Sequence, residues 1–327
     1  MKAIISTGYG GPEVLVVREV EKPTPKDNEI LIRIYAASVT RAGTMMRTGK
    51  PYFGRFFTGL SKPKNPIPGT GFAGVVESAG SAVTRFKAGD RVFGESIEIF
   101  GTQAEYIALP EDGLVMHKPA NMTCEEGASV CDGPLTSINF LKDIGHIQPG
   151  QKVLINGASG ALGTAAVQLA KHYGAEVTGI SSTKNLDLVK SLGADHVIDY
   201  TKEDFTKGGV RYDIIYDTVG TLSFPKAKRA LSEQGLFISP VLKFSLLLQM
   251  MWGSFFGKKK AKFSATGLKP KEELRVLLEE LTPIIASGKL KSVTDRVYPL
   301  EEIAEAHRYI DTGRKKGNVV VVTGQRA

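Results

Sequence analysis

The residues best suited to chemistry lie in a glycine-rich turn, Gly157–Gly163, with the sequence GASGALG. The turn follows a predicted strand at Lys152–Asn156 and opens a predicted helix, Ala161–Tyr173, whose apolar residues recur at helical spacing. Gly160 lets the backbone approach a pyrophosphate, and Gly163 lets the helix pack close to the strand. Because a helix start offers free N–H groups and the positive end of its dipole, the turn predicts a dinucleotide site.

Two other interpretations of the turn stay open. It departs from the usual G-x-G-x-x-G pattern at Ala158, so it could be a tight strand-to-helix turn without a ligand. It also differs by one residue from the G-x-S-x-G nucleophile elbow of hydrolases. In that case Ser159 would be the nucleophile, and Asp295 and His307 follow in the order of a catalytic triad.

The residues after the second predicted strand, Glu176–Ile180, indicate which dinucleotide binds. A carboxylate about 20 residues after the turn would bind the ribose 2′-hydroxyl of NAD. Here the strand is followed by Ser182 and Lys184, and the next acid, Asp187, lies inside the following helix. Hydroxyl and ammonium groups bind a 2′-phosphate, so we predict NADPH. The alternative is that Lys184 is only a solvated lysine at a helix start.

No metal motif is found among the histidines and cysteines. The five histidines, which include His307, have no second ligand at metal spacing and are predicted to lie at the surface or at strand ends. The two cysteines, Cys124 and Cys131, are predicted to be free thiols in a reducing cytoplasm. Without a Lewis acid, hydride chemistry favours substrates whose own conjugation absorbs the hydride, such as quinones and enones.

Composition excludes several classes of protein. The chain has 327 residues, 42% hydrophobic and 23% charged, with a net charge of +8, which excludes a disordered or fibrous protein. Its most apolar segment, Phe244–Phe256, has 13 residues, fewer than the ~20 of a spanning helix. Four roles stay open for this segment: part of the core, a dimer contact, a lid over the substrate, and a peripheral membrane contact. In the last role, Trp252 and Phe255 together with the adjacent Lys258–Lys260 would face the membrane. The basic residues are dispersed, and we predict no nucleic-acid partner.

The elements that must position these residues form two kinds of region. Up to about residue 122, short predicted strands are broken by Gly and Pro, which indicates a β-rich domain. From 123 onward, strands alternate with helices, as in a parallel sheet of βαβ units.

The chain resembles the medium-chain dehydrogenase/reductases along its whole length, and within them the zinc-independent, quinone-oxidoreductase-like branch. The matching segments are MKAIISTGYGGPEVL at the start, GDRVFG at 89–94, GTQAEYIALPED at 101–112, KPANMTCEEGA at 118–128, NGASGALGTAAVQLAKHYGAEVTG at 156–179, LGADHVIDY at 192–200, YDIIYDTVG at 212–220 and YPLEEIAEAHRYIDTGRKKGNVVV at 298–321. The resemblance implies an α/β protein with a GroES-like β-rich domain at 1–122, completed by 296–327. It also implies a doubly wound, parallel-sheet Rossmann domain at 123–295, an active-site cleft between the two domains, NADPH as the cofactor and a homodimer.

The resemblance also assigns cofactor-binding residues. It implies that Ser159, Gly160, Ala161 and Leu162 bind the pyrophosphate. Those implied to bind the 2′-phosphate region are Ser182, Lys184 and Tyr200. Those implied to line the path to the nicotinamide are Thr136, Val219, Gly220, Ser239 and Asn318.

The same resemblance compares the substrate half of the site. Zinc-dependent relatives place ligands at positions matching Thr40, Thr70 or Gly71, and Asp132, of which only Asp132 could ligate, so no catalytic zinc is expected. The branch often has Asn and Asp at positions 40 and 43 and Tyr at position 45, where this chain has Thr, Gly and Met. These differences leave the substrate open.

The predicted function is hydride transfer from NADPH to a quinone or an α,β-unsaturated carbonyl. Thr40 and Tyr52 are candidates to hydrogen-bond the substrate oxygen that then takes a proton, or to order a water that does so. Their alternatives are a strand-end hydroxyl for Thr40 and a packing residue for Tyr52. A catalytically weak cofactor-binding protein acting at a membrane or protein surface is the alternative function.

Overall fold

A computed structural model of the chain describes residues 1–243, 250 and 258–324. The chain divides into two compact units. The first comprises Met1–Asp132, Leu278–Gly288 and Ser292–Ala327, and the second comprises Gly133–Leu277 and Lys289–Lys291. The first unit therefore contains both the beginning and the end of the chain.

The strands of both units are numbered in chain order: β1 Lys2–Ser6, β2 Leu15–Glu19, β3 Glu29–Val39, β4 Gly71–Ala79, β5 Arg91–Glu95, β6 Tyr106–Pro110, β7 Leu114–His117, β8 Lys152–Asn156, β9 Glu176–Ser181, β10 His196–Asp199, β11 Tyr212–Asp217, β12 Leu231–Ser239, β13 Lys260–Phe263, β14 Thr294–Pro299 and β15 Asn318–Val322. The α-helices among the described residues are α1 Arg41–Thr48, α2 Arg55–Thr58, α3 Cys124–Ala128, α4 Gly133–Ile138, α5 Ala161–His172, α6 Leu186–Ser191, α7 Phe224–Lys228, α8 Lys271–Ala286 and α9 Ile303–Asp311. Within the described residues, single turns of 3-10 helix and one π-helical segment, Asn139–Ile144, complete the elements.

The first unit is built on a seven-stranded sheet in the order β14-β15-β3-β4-β5-β7, with β6 also paired to β3, and on the antiparallel pair β1-β2. The long strand β3 is the centre of this sheet because it pairs with β15, β4 and β6. Apolar side chains from one face of the sheet pack with α9, where Ile303 and Ile310 are buried among Ile32, Phe72 and Val92. The opposite face is covered by α3.

The second unit is a parallel sheet of six strands in the order β10-β9-β8-β11-β12-β13. Counted along the chain this is 3-2-1-4-5-6, the strand order of the dinucleotide-binding Rossmann fold. In that fold the order reverses beside the first strand, which is β8 here, and ligands bind at the carboxyl ends of the strands at this point. The predicted fold class, with one β-rich domain and one doubly wound, parallel-sheet Rossmann domain, is confirmed.

The apolar segment Phe244–Phe256 lies outside the described residues except for Met250, which packs against the core of the second unit. Among the helices that the structure describes, none combines the length and the apolar character needed to cross a bilayer.

Candidate active site

The glycine-rich turn connects β8 to α5, as predicted, and its three glycines have different reasons to be glycine. Gly157 has φ +77°, and a Cβ there would lie 2.1 Å from Val219. A Cβ on Gly163 would lie 2.1 Å from the Gly157 carbonyl oxygen, so the helix could not pack this closely on the turn. Gly160 is the N-cap of α5 in an extended conformation, and the atom nearest to its missing Cβ is 3.5 Å away. Its open side, beside the unpaired first N–H groups of the helix, is where an anion can approach.

Hydrogen bonds from the neighbouring strand hold the same turn in place. The Ser159 hydroxyl oxygen accepts hydrogen bonds from the side chains of Ser181, at 2.8 Å, and Asn185, at 3.2 Å. The carbonyl oxygen of Leu162, in the first turn of α5, accepts a hydrogen bond from the Ser137 hydroxyl at 2.9 Å. Ser159 and Leu162 thus have fixed positions at the predicted pyrophosphate site.

The predicted 2′-phosphate residues lie at the carboxyl ends of β9 and β10. Ser182 is the N-cap of a 3-10 turn, Thr183–Asn185, which contains the exposed Lys184. Tyr200 directly follows β10 and is exposed. Because β9 and β10 are parallel neighbours, these side chains are brought to one edge of the sheet.

One carboxylate, Asp199, was missed at this edge. It is the last residue of β10 and is buried. Its two oxygens accept hydrogen bonds from the hydroxyls of Thr183 and Thr201, the latter at 2.7 Å. These hydrogen bonds lower the pKa of Asp199. The carboxylate is engaged within the protein and shapes the turn that presents Lys184.

A second buried acid, Asp217, organises the turn that carries Val219 and Gly220. It ends β11, and its carboxylate accepts hydrogen bonds from the Asn156 side chain at 2.8 Å, the Gly220 N–H at 3.0 Å and the Leu222 N–H at 2.9 Å. Sequence reasoning missed Asp217. A carboxylate at the end of a buried strand, followed by a Gly-containing turn, is the signal that could have found it.

The remaining predicted cofactor residues are placed as follows. Thr136 lies in α4, and the Ser239 hydroxyl, at the end of β12, donates to the Asp217 carbonyl oxygen at 3.0 Å. Asn318 belongs to the first unit, where it starts β15 and its side chain donates to the Ser292 hydroxyl at 3.1 Å and the Val293 carbonyl at 3.0 Å.

The two predicted catalytic residues of the first unit have contrasting environments. Thr40 is buried at the N-cap of α1, where its hydroxyl oxygen accepts a hydrogen bond from the Gly43 N–H at 3.0 Å, so its O–H can still donate. Tyr52 is 64% exposed, and the Arg55 guanidinium lies over its ring at 4.9 Å. No hydrogen bond or ring contact within the described part of the chain joins Thr40 to Tyr52.

The first unit also contains a titratable group that the sequence did not single out. Glu95 ends β5, and burial raises its pKa to about 8, while a hydrogen bond from Thr70 acts in the opposite direction. The negative charge of Asp132 contributes to the increase. No spacing rule could have found this pair, because residues 95 and 132 meet only through the fold.

His307 was predicted to lie at the surface or at a strand end, and this prediction is wrong. It lies in α9 with 2% of its surface exposed, because the amphipathic helix turns this residue towards α1. Burial and the nearby Arg47 guanidinium lower its pKa to about 4. Neither ring nitrogen has a hydrogen-bond partner among the described residues, and Asp295 accepts instead from the Tyr309 hydroxyl at 2.6 Å. The Asp295–His307 pair that a hydrolase would require is therefore not formed.

The side chains that the resemblance places at zinc-ligand positions are poor zinc ligands. Thr40 and Thr70 offer hydroxyls, Gly71 has no side chain, and Asp132 has the one carboxylate. Across the described ranges 1–243 and 258–324, no group of three or more His, Cys, Asp or Glu could hold a metal ion.

Comparison with protein families matches both regions of the chain. Residues 26–120 match the alcohol dehydrogenase GroES-like domain. Residues 192–321 match a family described as zinc-binding dehydrogenase.

Curated relatives match nearly the whole chain. The chain is 34% identical to 2-methylene-furan-3-one reductase of Solanum lycopersicum, over 98% of this chain and 79% of the relative. It is 32% identical to the chloroplastic NADPH-dependent alkenal/one oxidoreductase of Arabidopsis thaliana, with the same coverage.

Solved structures share the fold over the same length. The quinone oxidoreductase of Escherichia coli, determined in complex with NADPH, superimposes with a TM-score of 0.84 and 26% identity, covering 98% of this chain and 100% of that structure.

Proposed function

The chain belongs to the medium-chain dehydrogenase/reductase superfamily, and on that premise we propose that it is a zinc-independent, NADPH-dependent reductase of quinones or α,β-unsaturated carbonyls. The observation that supports this most directly is the turn Gly157–Gly163 at the switch point of a 3-2-1-4-5-6 sheet. Relatives named for quinone and for alkenal/one reduction support the substrate class.

NADPH fits the residues that the turn presents. The open side of Gly160 and the start of α5 would receive the pyrophosphate. Ser182 and Lys184 would receive the 2′-phosphate, because hydroxyl and ammonium donors are available there and Asp199 is engaged by Thr183 and Thr201. The Asp199 carboxylate already has hydroxyl partners within the protein, so it does not need a ribose hydroxyl of NADH as a partner. We therefore propose a preference for NADPH over NADH.

When bound, NADPH supplies a hydride to an electron-poor carbon of the substrate. The protein must then bind the substrate oxygen on which negative charge develops and provide a proton. The O–H of Thr40 is available to donate to such an oxygen, since its lone pair already accepts from the Gly43 N–H. Tyr52, on the surface of the same unit, would bind the outer part of the substrate.

The test is oxidation of NADPH, followed by absorbance, with a panel of quinones, enones and enals. We expect turnover with at least one class and a preference for NADPH over NADH of at least tenfold in kcat/KM. Absence of turnover with every acceptor would favour the alternative, a cofactor-binding protein without this activity. One zinc per chain in elemental analysis would contradict the zinc-independent part of the proposal. Homodimer formation stays a prediction, which light scattering tests.

A further inference from the structure

Asn185 is a buried amide that lies between the two phosphate-binding regions proposed for the second unit. Its side chain donates one hydrogen bond to the Ser159 hydroxyl oxygen, at 3.2 Å, and one to the Ser182 hydroxyl oxygen, at 3.3 Å. Ser159 belongs to the glycine-rich turn, and Ser182 directly follows β9. Because an amide group has two N–H donors, both are used on these two serines. One side chain thus connects the proposed pyrophosphate site to the proposed 2′-phosphate site.

The position of Asn185 in the chain would favour a different partner for its side chain. Asn185 is the N-cap of α6, and an asparagine at an N-cap usually accepts a hydrogen bond from a backbone N–H in the first turn of the helix. The Asn185 side chain makes no such capping bond. Its orientation is therefore explained by the two serines and not by the start of the helix.

The amide oxygen of Asn185 indicates that this side chain does not serve stability alone. Asn185 is 7% exposed, and its Oδ1 has no hydrogen-bond partner among the described residues. A buried polar atom without a partner lowers stability, so an apolar side chain of the same shape would suit a purely structural position. What the amide offers beyond such a side chain is its two N–H donors.

The hydrogen bonds that Ser159 accepts determine where its proton can go. A serine hydroxyl has two lone pairs and one O–H donor. Ser159 Oγ accepts from the Ser181 hydroxyl at 2.8 Å and from the Asn185 side chain at 3.2 Å, so both lone pairs are occupied. The O–H is the group that remains. Ser159 directly precedes Gly160, the N-cap of α5, where the turn is open to an anion, so a phosphate oxygen is a suitable acceptor for this proton.

Ser182 receives the same treatment at the second region. Its hydroxyl oxygen accepts from Asn185, so its own proton is directed away from the amide. The one carboxylate at this edge of the sheet, Asp199, already accepts a hydrogen bond from the Thr183 hydroxyl. Ser182 is half-buried, and Lys184 is exposed two residues further along the chain. The Ser182 O–H and the Lys184 ammonium are therefore both available to a 2′-phosphate.

We propose that Asn185 is a positioning residue for the nucleotide, which holds the Ser159 and Ser182 hydroxyls as donors to the pyrophosphate and to the 2′-phosphate. This role rests on the NADPH part of the proposed function. Asn185 acts through the two serines and does not itself bind a phosphate. NADH has no 2′-phosphate, so loss of Asn185 should affect both nucleotides through Ser159 and NADPH additionally through Ser182. Asn185 thus contributes to nucleotide preference as well as to affinity.

The main test measures the dissociation constants of NADPH and NADH by calorimetry for Asn185→Leu, which keeps the branched shape and removes both donors. We expect NADPH binding to weaken about 100-fold and NADH binding about tenfold, because each hydroxyl that loses its orientation forfeits a hydrogen bond to a charged group. The melting temperature of the cofactor-free protein should stay within about 3 °C of the wild type, since the unpartnered amide oxygen is removed as well.

A second variant reverses the direction of the hydrogen bonds. The carboxylate of Asn185→Asp can only accept, so it would turn both hydroxyl protons towards itself and away from the phosphates. We expect Asn185→Asp to weaken NADPH binding more than Asn185→Leu does. Lys190→Gln, at an exposed position of α6, changes the net charge by the same amount and is the matched control. It should leave both dissociation constants unchanged.

A double-mutant cycle determines whether Asn185 acts through Ser182. Ser182→Ala alone should weaken NADPH binding about tenfold and leave NADH binding unchanged. Added to Asn185→Leu, the same change should cause no further loss, because the Ser182 hydroxyl has already lost its orientation. Full additivity of the two losses would contradict the positioning role.

The outcomes distinguish this role from the proposed function. Wild-type dissociation constants in Asn185→Leu and Asn185→Asp would overturn the role of Asn185 and leave the reductase intact. Equal losses for NADPH and NADH together with a lowered melting temperature would assign Asn185 a structural role instead. A wild type that binds NADPH but reduces no acceptor would overturn the reductase and leave the role of Asn185 in binding. A wild type that binds no NADPH would overturn both.

Discussion

The glycine-rich turn of the second unit and the surroundings of Glu95 in the first unit are built in opposite ways. The turn is one contiguous segment, Gly157–Gly163, between a strand and a helix. Glu95 ends β5 and draws its neighbours from Thr70 and Asp132, with Lys315 near Asp132; these four residues lie at two strand ends and in two loops. A phosphate can be bound by backbone N–H groups whose geometry is local. A carboxyl whose pKa is raised by burial must be shielded from water, and segments distant in sequence supply that shielding here.

The two regions also differ in the task that we propose for each. The turn would bind a group that many enzymes share, so its pattern recurs and can be identified from sequence. Glu95 lies in the unit that carries the proposed substrate residue Thr40, where the resemblance implies Asn, Asp and Tyr at positions 40, 43 and 45 and this chain has Thr, Gly and Met. We infer that the residues of the cofactor half are constrained by a single ligand, whereas the residues of the substrate half can vary with the substrate.

The largest expected effect concerns Asp217, the buried acid that organises the turn after β11 in the second unit. Asp217→Ala removes the acceptor for the Asn156 side chain and for the N–H groups of Gly220 and Leu222. Several buried donors lose their partner, so we expect the free energy of unfolding to fall by about 4 kcal/mol. Urea denaturation measures this. Asp217→Asn retains one acceptor oxygen and should lose less than half as much; equal losses would contradict the hydrogen-bond explanation.

The next largest effect concerns buried His307 in the first unit and is a change of stability with pH. Folded His307 has a pKa of about 4, and the unfolded residue has about 6.5, so the unfolded state binds the proton first as the pH falls. The stability that neutral, buried His307 contributes is therefore fully present above pH 6.5. The free energy of unfolding falls by roughly 3 kcal/mol as the pH drops from 6.5 to 4. We expect His307→Gln to flatten the dependence of the unfolding free energy on pH over this range. His172→Gln, at an exposed position, should leave the wild-type curve unchanged.

A pair of glycine variants sharpens the comparison directly. Gly71→Ala would place its Cβ 2.3 Å from the Ala128 carbonyl oxygen, a backbone atom, so we expect a stability loss of about 2 kcal/mol. Gly160→Ala meets no atom closer than 3.5 Å and should keep the stability within about 0.5 kcal/mol.

The same two variants should rank in the opposite order when cofactor binding is measured. The methyl group of Gly160→Ala would occupy the side open to the pyrophosphate, so we expect at least tenfold weaker NADPH binding by calorimetry. If Gly160→Ala bound NADPH normally, the turn would not be the pyrophosphate site.

The smallest effect tests the preference between nucleotides. Lys184→Ala removes an exposed ammonium group from the end of β9, so we expect about tenfold weaker NADPH binding with NADH binding unchanged. Lys190→Ala, exposed on α6, is the matched control and should affect neither nucleotide. Equal losses for both nucleotides in Lys184→Ala would remove the 2′-phosphate role.

The proposed cofactor residues stay predictions, and they could be proposed from the sequence because their signals are local. Gly160 and Gly163 were identified from spacing, and Ser182 and Lys184 from their place after the second strand. Asp217 was missed, although its position before a Gly-containing turn is a local signal. His307 was placed wrongly, because the sequence of α9 shows an amphipathic helix but does not show that α1 covers the face of this residue.

By itself, the sequence determined the alternation of strands and helices from Lys152 to Asp217, the strand–turn–helix around the glycine-rich turn and the superfamily, because periodicity and glycine spacing act within a few residues of one another. Only the tertiary structure decided that Glu95, Thr70 and Asp132 lie close together and that His307 is neutral and buried. The physical reason is that a pKa depends on desolvation and on nearby charges. Both are properties of the packed neighbourhood, and strand register and the path of distant segments bring that neighbourhood together.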